Sequence, residues 1–206
     1  MFKIIVASNN NGKVEEIQDF LKELSIEALP QSAFNVPEIE EIGLTYVENA
    51  ILKARNACQH TGLPAFGDDS GVEVTALNGA PGLYTARYAG PNATFQDNIN
   101  KLLQAMTDVP AAQRAVRFRC VIAFLRHTAD PNPVICQGVW EGSVLFEPRG
   151  QQGHGYDPIF YVPTHNCSAA ELSLQEKTRI SHRGRALQRL IEALKEIYGE
   201  SHDMMN

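Results

Sequence analysis

Two adjacent aspartates bounded by glycines, Asp68 and Asp69 in "GDDSG", are the residues of this chain best suited to chemistry. Like charges side by side are costly unless a cation or hydrogen bonds offset them. A Mg²⁺ ion takes one or two protein carboxylates and fills its other positions with water or phosphate oxygens. Asp68 or Asp69 would then be a metal ligand, and the same carboxylate is suited to take a proton from water. An Asp-Gly turn open to water is the alternative. A second group, "SNNNGK" (Ser8 to Lys13), falls between an apolar run and a helical pattern, where backbone amides and the helix dipole receive phosphate. It is not a Walker loop, because the first glycine is missing and Val14 stands where the metal-binding Ser or Thr belongs. Ser8 and Asn10 offer hydrogen bonds to phosphate oxygens and Lys13 offers charge. A helix cap with a solvent-facing lysine would use the same residues.

Three further clusters have recognisable chemistry. In "EIEEIGLTYVENAILKA", Glu40 and Glu41 precede a predicted helix that contains Glu48, Asn49 and Lys53. Capping and dipole complementarity account for the Glu pair, and a solvated face accounts for Glu48 and Lys53. "GHGYDPIF" combines glycines, His154, Tyr156, Asp157 and a proline, which reads as a rigid loop with a stacking surface and an acceptor. In "EKTRISHRGRAL", Lys177 precedes a predicted helix with Ser181 as N-cap and His182 and Arg183 on its first turn. Together the clusters supply cations, a carboxylate pair for metal and a polar recognition end, a set that suits a nucleoside triphosphate.

The elements that must position these groups follow from periodicity. "FKIIVAS" and "SIEALPQ" read as strands, with Val14, Ile17, Leu21 and Leu24 at helical spacing between them. "LTYVENAILKARNACQHTG" reads as a helix closed by Gly62, and "PAFGDDSGVEVTAL" as strand, tight turn and strand. "GAPGLYTARYAGPNA" is too rich in Gly and Pro to be regular. Thr94 caps a predicted helix with Ile99, Leu102, Leu103 and Met106 on one face. "AVRFRCVIAFLRH" and "PVICQGVWEGSVLF" flank a turn as a long antiparallel hairpin, and helical sequence runs to Tyr198 before a loose tail. This order predicts an α/β protein with a mixed sheet, a hairpin-containing lobe and a ligand cleft between lobes.

Composition narrows the class. The chain has 206 residues, 44% of them hydrophobic, enough for one well-buried domain. A net charge of −6 without a Lys/Arg block argues against a nucleic-acid backbone binder, though a free nucleotide needs only a few local cations. The start "MFKIIVASNN" lacks a signal-peptide pattern, and no apolar run approaches the ~20 residues of a membrane span. Cys58, Cys120, Cys136 and Cys167 form no C-x-x-C pair, so buried free thiols in a cytoplasmic protein are expected.

The ordered series "ASNNNGKVEE", "GLTYVENAILKA", "DDSGVEV", "GAPGLYTARYAG", "GYDPIF" and "SHRGRAL" resembles the Ham1-like (inosine triphosphate pyrophosphatase) family over nearly the whole chain. The resemblance implies a single domain over residues 1–200 with a loose tail at 201–206, and an elongated mixed-sheet α/β fold whose two lobes surround a deep cleft. It implies Mg²⁺-dependent hydrolysis of noncanonical purine nucleoside triphosphates (ITP, dITP, XTP) to the monophosphate and pyrophosphate, by a homodimer with no nucleic-acid or membrane partner. Carried over by position, Ser8, Asn9, Asn10, Asn11, Gly12 and Lys13 hold the triphosphate, with Lys53 adding charge. Asp69 is proton acceptor and metal ligand, Asp68 lies beside it, and Glu41 is the metal-binding member of the Glu pair by the E-x-G-x-T pattern. Ser70 lies at the substrate. His154, Gly155, Tyr156 and Asp157, with Lys177, His182 and Arg183, surround the nucleoside and base. The family usually has Phe where this chain has His154, and commonly Thr where it has Ser8.

Within that resemblance Arg183 has a physical role. Hypoxanthine and xanthine present an acceptor oxygen at position 6 where adenine presents an amino donor, and arginine can only donate. Mismatches of buried polar groups discriminate by ~10⁴ or more. Two other readings use the same residues: a non-catalytic purine nucleotide sensor, which has less need of the aspartate pair, and a triphosphatase with a different base preference.

Overall fold

Strand β1 (Phe2–Val6) is the apolar run FKIIV, with Ile4, Ile5 and Val6 buried. In the computed structural model, which describes residues 2–9, 14, 17, 18, 21, 24 and 26–199, β1 pairs in parallel with β2 (Ile26–Pro30), placing Ile4 opposite Ala28. Its other neighbour is β3 (Ala65–Val74), also parallel, with Val6 opposite Phe66. Val14, Ile17 and Leu21 are helical and buried, as their spacing predicts. Asn10, Asn11, Gly12 and Lys13 of the predicted phosphate loop, and the tail at 201–206, lie outside the described residues.

Helix α1 (Tyr46–Thr61) starts at Thr45, whose hydroxyl accepts the Glu48 N–H, and stops at Gly62. Gly62 has φ 68°, the left-handed conformation that closes helices and that glycine adopts without a Cβ penalty. Helix α2 (Phe95–Ala105) has the predicted Thr94 cap, completed to a capping box by Asp97. Strands β5 (Ala115–Leu125) and β6 (Val134–Val144) are sheet neighbours, as the predicted hairpin requires. Between β3 and α2 lies a two-residue strand, β4 (Pro81–Gly82), antiparallel to β3. After β6 come β7 (Phe160–Val162) and β8 (Cys167–Ser168), both antiparallel additions. The helical end of the chain is two helices rather than one, α3 (Leu174–Ile180) and α4 (His182–Gly199). The architecture is mixed α/β.

One local expectation is overturned. "GDDSG" is not a turn between two strands, because β3 runs unbroken from Ala65 to Val74. Gly67 is needed for close approach: a Cβ there would stand 2.6 Å from the Ala50 carbonyl and 2.8 Å from Lys53 Cβ.

The chain forms two compact units. The first comprises Met1–Asp69, Cys120–Gln137 and Arg185–Asn206, and the second Ser70–Arg119 and Gly138–Gly184. In the first, strands follow the order β2-β1-β3-β5-β6, and strand alternation divides the core. Ile4, Val6, Phe66, Ile122 and Phe124 pack with Leu187, Leu190 and Leu194 of α4. The intervening Ile5, Ala65, Val121, Ala123 and Leu125 pack with Ala50, Ala54 and Ala57 of α1. In the second unit Val72, Val74, Val116, Phe118, Trp140 and Phe160 pack with Ile99 and Leu102 of α2 and with Met106, its C-cap. There the buried Arg114 guanidinium donates to the carbonyls of Met106, Val109, Val144 and Leu145. Cys58, Cys120 and Cys136 are buried and Cys167 is half-buried, and none of the four forms a disulfide. Among the described residues no helix is long and apolar enough to cross a membrane.

Candidate active site

The approach of β3 to α1 at Gly67 brings the next two residues of the strand to the helix that carries Asn49 and Lys53. The Lys53 ammonium donates to Glu41 Oε1 at 2.8 Å and stands 3.9 Å from Asp69 Oδ1. It is not on a solvated face: its side chain is only 19% exposed. Burial by itself lowers the Lys53 pKa. Asp68, the hydrogen bond to Glu41 and then Asp69 outweigh that effect, and the net direction is upward. Asp68 is buried and Asp69 half-buried, with Asp69 Oδ2 accepting from Asn49 Nδ2 at 3.0 Å. Glu40 is exposed, whereas Glu41 is half-buried, so Glu41 is the member of the pair that joins the cluster.

Among the described residues, Glu41, Asp68 and Asp69 place three carboxylates around Lys53. The donors are hard oxygens, the chemistry that Mg²⁺ requires. Among the described residues no group of three or more His, Cys, Asp or Glu is arranged to hold an ion unaided. A Mg²⁺ ion bound there would have to complete its coordination with substrate phosphates and water.

A polar pocket of about 300 Å³ is lined by Ser8 and Asn9 together with Glu41, Lys53 and Asp68. The start of the predicted phosphate loop and the carboxylate–lysine cluster therefore share one concavity. Asn9 is fixed at its rim, donating to Glu38 Oε1 at 2.9 Å and accepting from Gln31 Nε2 at 3.1 Å. A second concavity of about 490 Å³, lined by Pro81, Tyr84, Arg87 and Tyr88, contains none of the predicted site residues.

The remaining predicted residues belong to the second unit, where Ser70 is half-buried. The loop at 153–157 is held by Asp157, which is buried and whose Oδ2 accepts both the His154 N–H at 2.5 Å and the Lys177 ammonium. Gly153, at φ 87°, lets the loop turn over this carboxylate: a Cβ there would stand 2.4 Å from Asp157 Oδ2. The Tyr156 hydroxyl donates to the Thr85 carbonyl at 2.9 Å, and burial, then Tyr88, pushes its pKa well up. Gly155 is half-buried behind the exposed His154, whose ring meets Phe95 edge-on at 4.5 Å between centroids. Lys177 is carried by its own helix, α3. Ser181 joins α3 to α4: its N–H closes α3 on Lys177 O at 2.9 Å, and its hydroxyl accepts the Gly184 N–H at 3.2 Å, as the predicted N-cap should. Gly184 admits this close join, since a Cβ there would collide with the Thr178 carbonyl at 1.6 Å. His182 and Arg183 on that first turn are half-buried, with His182 edge-on to Phe118 at 5.2 Å.

Three residues left without a role by sequence reasoning, Asn49 among them although named in its helix, hold these groups in place. They are Asn49 at Asp69, Thr85 under Tyr156 and Phe95 beside His154. Asn49 had a signal, because it precedes Lys53 by one helical turn and shares its face. Thr85 and Phe95 had none, since their partners lie far along the chain.

The arrangement can now be set beside known proteins. A profile of the Ham1 family matches residues 4–193. A Vibrio cholerae protein named dITP/XTP pyrophosphatase is 55% identical over 196 residues, covering 95% of this chain and 98% of its own. One of the same name from Thioalkalivibrio sulfidiphilus is 58% identical over 193 residues, covering 94% and 98%. The solved structure of a HAM1 protein from Coxiella burnetii superposes with a TM-score of 0.91 at 53% identity, covering 95% of this chain and all of that one. Sequence profile, relatives and fold agree along the full length of the described site, and the chain belongs to the Ham1 family.

Proposed function

We propose that this protein hydrolyses noncanonical purine nucleoside triphosphates, dITP, XTP and ITP, to the monophosphate and pyrophosphate, and so keeps them out of DNA and RNA. The observation that carries the proposal is the gathering of Glu41, Asp68 and Asp69 about Lys53, with Glu41, Lys53 and Asp68 lining one pocket with Ser8 and Asn9. Its frame is the 55–58% identity to relatives named dITP/XTP pyrophosphatase. Three carboxylates gathered beside a phosphate site suit metal-assisted hydrolysis better than passive binding.

In the proposed mechanism Ser8, Asn9, Asn10, Asn11, Gly12 and Lys13 receive the triphosphate, and Lys53 adds a buried positive charge. Mg²⁺, held by Asp69 and Glu41 with Asp68 beside them, would supply positive charge against the phosphate oxygens and the departing pyrophosphate. Asp69 takes a proton from water as the water oxygen bonds to the α-phosphorus. The bond from the α-phosphorus to the α–β bridging oxygen breaks, and pyrophosphate leaves with that electron pair. Most of the acceleration comes from positioning and from fixed charges that need no reorganisation during the reaction.

At the base, Ser70, His154, Gly155 and Tyr156 present the contact surface, while Asp157 and Lys177 hold the loop through their ion pair. His182 and Arg183 select position 6 by offering donors to a keto oxygen. Family membership also supports a homodimer working in the cytoplasm, with the catalytic domain spanning residues 1–200. Replacing Asp69 by Asn tests the mechanism: turnover of dITP should fall by ~10²–10⁴-fold, the usual contribution of a positioned base, with little change in melting temperature. A folded Asp69→Asn protein with near-normal turnover would contradict it.

A further inference from the structure

Asparagine is a poor residue for a helix interior, because its side chain competes for backbone hydrogen bonds. A buried amide is also costly unless both of its ends are satisfied. Asn49 goes against the first preference but meets the second condition: it lies within α1, is only 3% exposed and has both ends of its amide bonded. Its two ends are used by two different segments. Oδ1 accepts the Gly43 N–H at 2.8 Å, and Nδ2 donates to Asp69 Oδ2 at 3.0 Å. The orientation of the amide is fixed by chemistry, because the Gly43 N–H can only donate and so must face the oxygen. The NH₂ end is therefore committed to Asp69.

We propose that Asn49 is the positioning residue for Asp69, a role that rests on the reaction proposed above. It ties the segment that carries Glu41 to the strand that carries Asp69, so that the two carboxylates keep one arrangement. Gly43 is two residues from Glu41, and Glu41 Oε1 in turn receives Lys53. The tie demands glycine at its loop end, since a Cβ on Gly43 would stand 2.6 Å from Asn49 Oδ1 and 2.7 Å from Glu48 Cβ. With Oδ2 of Asp69 held by Asn49, Oδ1 is the oxygen on the Lys53 side, at 3.9 Å. A donor on a packed helix restrains a reacting group more tightly than a loop does, and a group misplaced by 1 Å loses on the order of 100-fold in rate.

The test compares wild type with Asn49→Ala, Asn49→Asp and Thr45→Ala. Asn49→Asp keeps the size and the acceptor for Gly43 but loses the donor to Asp69. Thr45→Ala removes the cap of the same helix without touching Asp69. For each, kcat and KM on dITP, the affinity for a non-hydrolysable dITP analogue by calorimetry, and thermal melting are measured. In Asn49→Ala, kcat should fall on the order of 100-fold while analogue affinity stays within about threefold, the signature of an interaction that matters in the transition state. In Asn49→Asp, kcat should fall at least as far, and Thr45→Ala should melt earlier with kcat retained. Asn49 variants with near-normal kcat, a loss of affinity matching the loss of rate, or the same kcat loss in Thr45→Ala would each overturn the proposal. A wild type that binds the analogue but does not turn over dITP would overturn the proposed function and this role with it.

Discussion

Burial removes water from the Lys53 ammonium, which opposes its charge, yet Asp68, Glu41 and Asp69 more than restore it and hold its pKa above the usual lysine value. An upward shift keeps Lys53 fully charged at neutral pH, so it serves as a fixed cation and not as a proton carrier. Asp69 Oδ2 accepts from the Asn49 amide, and its Oδ1 stands 3.9 Å from the Lys53 ammonium. Arg183 can only donate hydrogen bonds, and in the proposed base-recognition role Arg183→Ala would remove one charged hydrogen bond to a keto purine. Its kcat/KM for ITP should fall by roughly 10- to 100-fold, with the unfolding midpoint moved far less. Steady-state rates beside a denaturation curve check this, and an unchanged ITP rate would remove Arg183 from base recognition. Adjacency made Asp68 and Asp69 legible in the sequence, because neighbouring charges need an explanation. The placement of Lys53 was not legible, since its partner Glu41 is fixed by the course of a loop and not by helical spacing.

The element scale explains where local reading failed. Glycines around two aspartates looked like a turn, but Gly67 is there to let β3 lie against α1, and the strand continues through Asp68, Asp69 and Ser70. Turn chemistry and close packing both call for a missing Cβ, and only the three-dimensional neighbour tells them apart. Strand alternation and helix caps were legible because each depends on a few adjacent residues, as at Thr94 and Ser181. The turn after β5 has its own electrostatic anchor. Asp130 is buried and accepts from Arg126 N, Nε and Nη2 and from Asn132 N. The Arg126 side chain, aided by the backbone donors and against burial, holds its carboxyl well below the usual range. A depressed folded pKa adds stability above the unfolded value, near 4, which is lost as pH falls toward the folded value. Asp130→Asn should therefore cost about 1–3 kcal/mol at pH 7, by loss of bonds to a charged group. The gap from wild type should narrow in urea titrations taken below pH 4. A gap of the same size at pH 3 would show that packing, not charge, anchors this turn.

At the scale of the whole molecule, each of the two units carries some of the residues named from the sequence. Glu41, Lys53, Asp68 and Asp69 belong to the first, with the residues proposed for the base in the second. The mixed α/β class and the family were legible from the order of motifs, because those motifs recur along nearly the whole chain. The central claim is that this scaffold hydrolyses the noncanonical purine triphosphates ITP, XTP and dITP between the α- and β-phosphates with help from a divalent cation. Pyrophosphate release from ITP, XTP, dITP, GTP, ATP and dUTP, with Mg²⁺ and with chelator, tests it most directly. The account predicts cation-dependent release of pyrophosphate from ITP, XTP and dITP, with the other three far slower. Equal release from ATP, release of single phosphates, or full activity in chelator would contradict it.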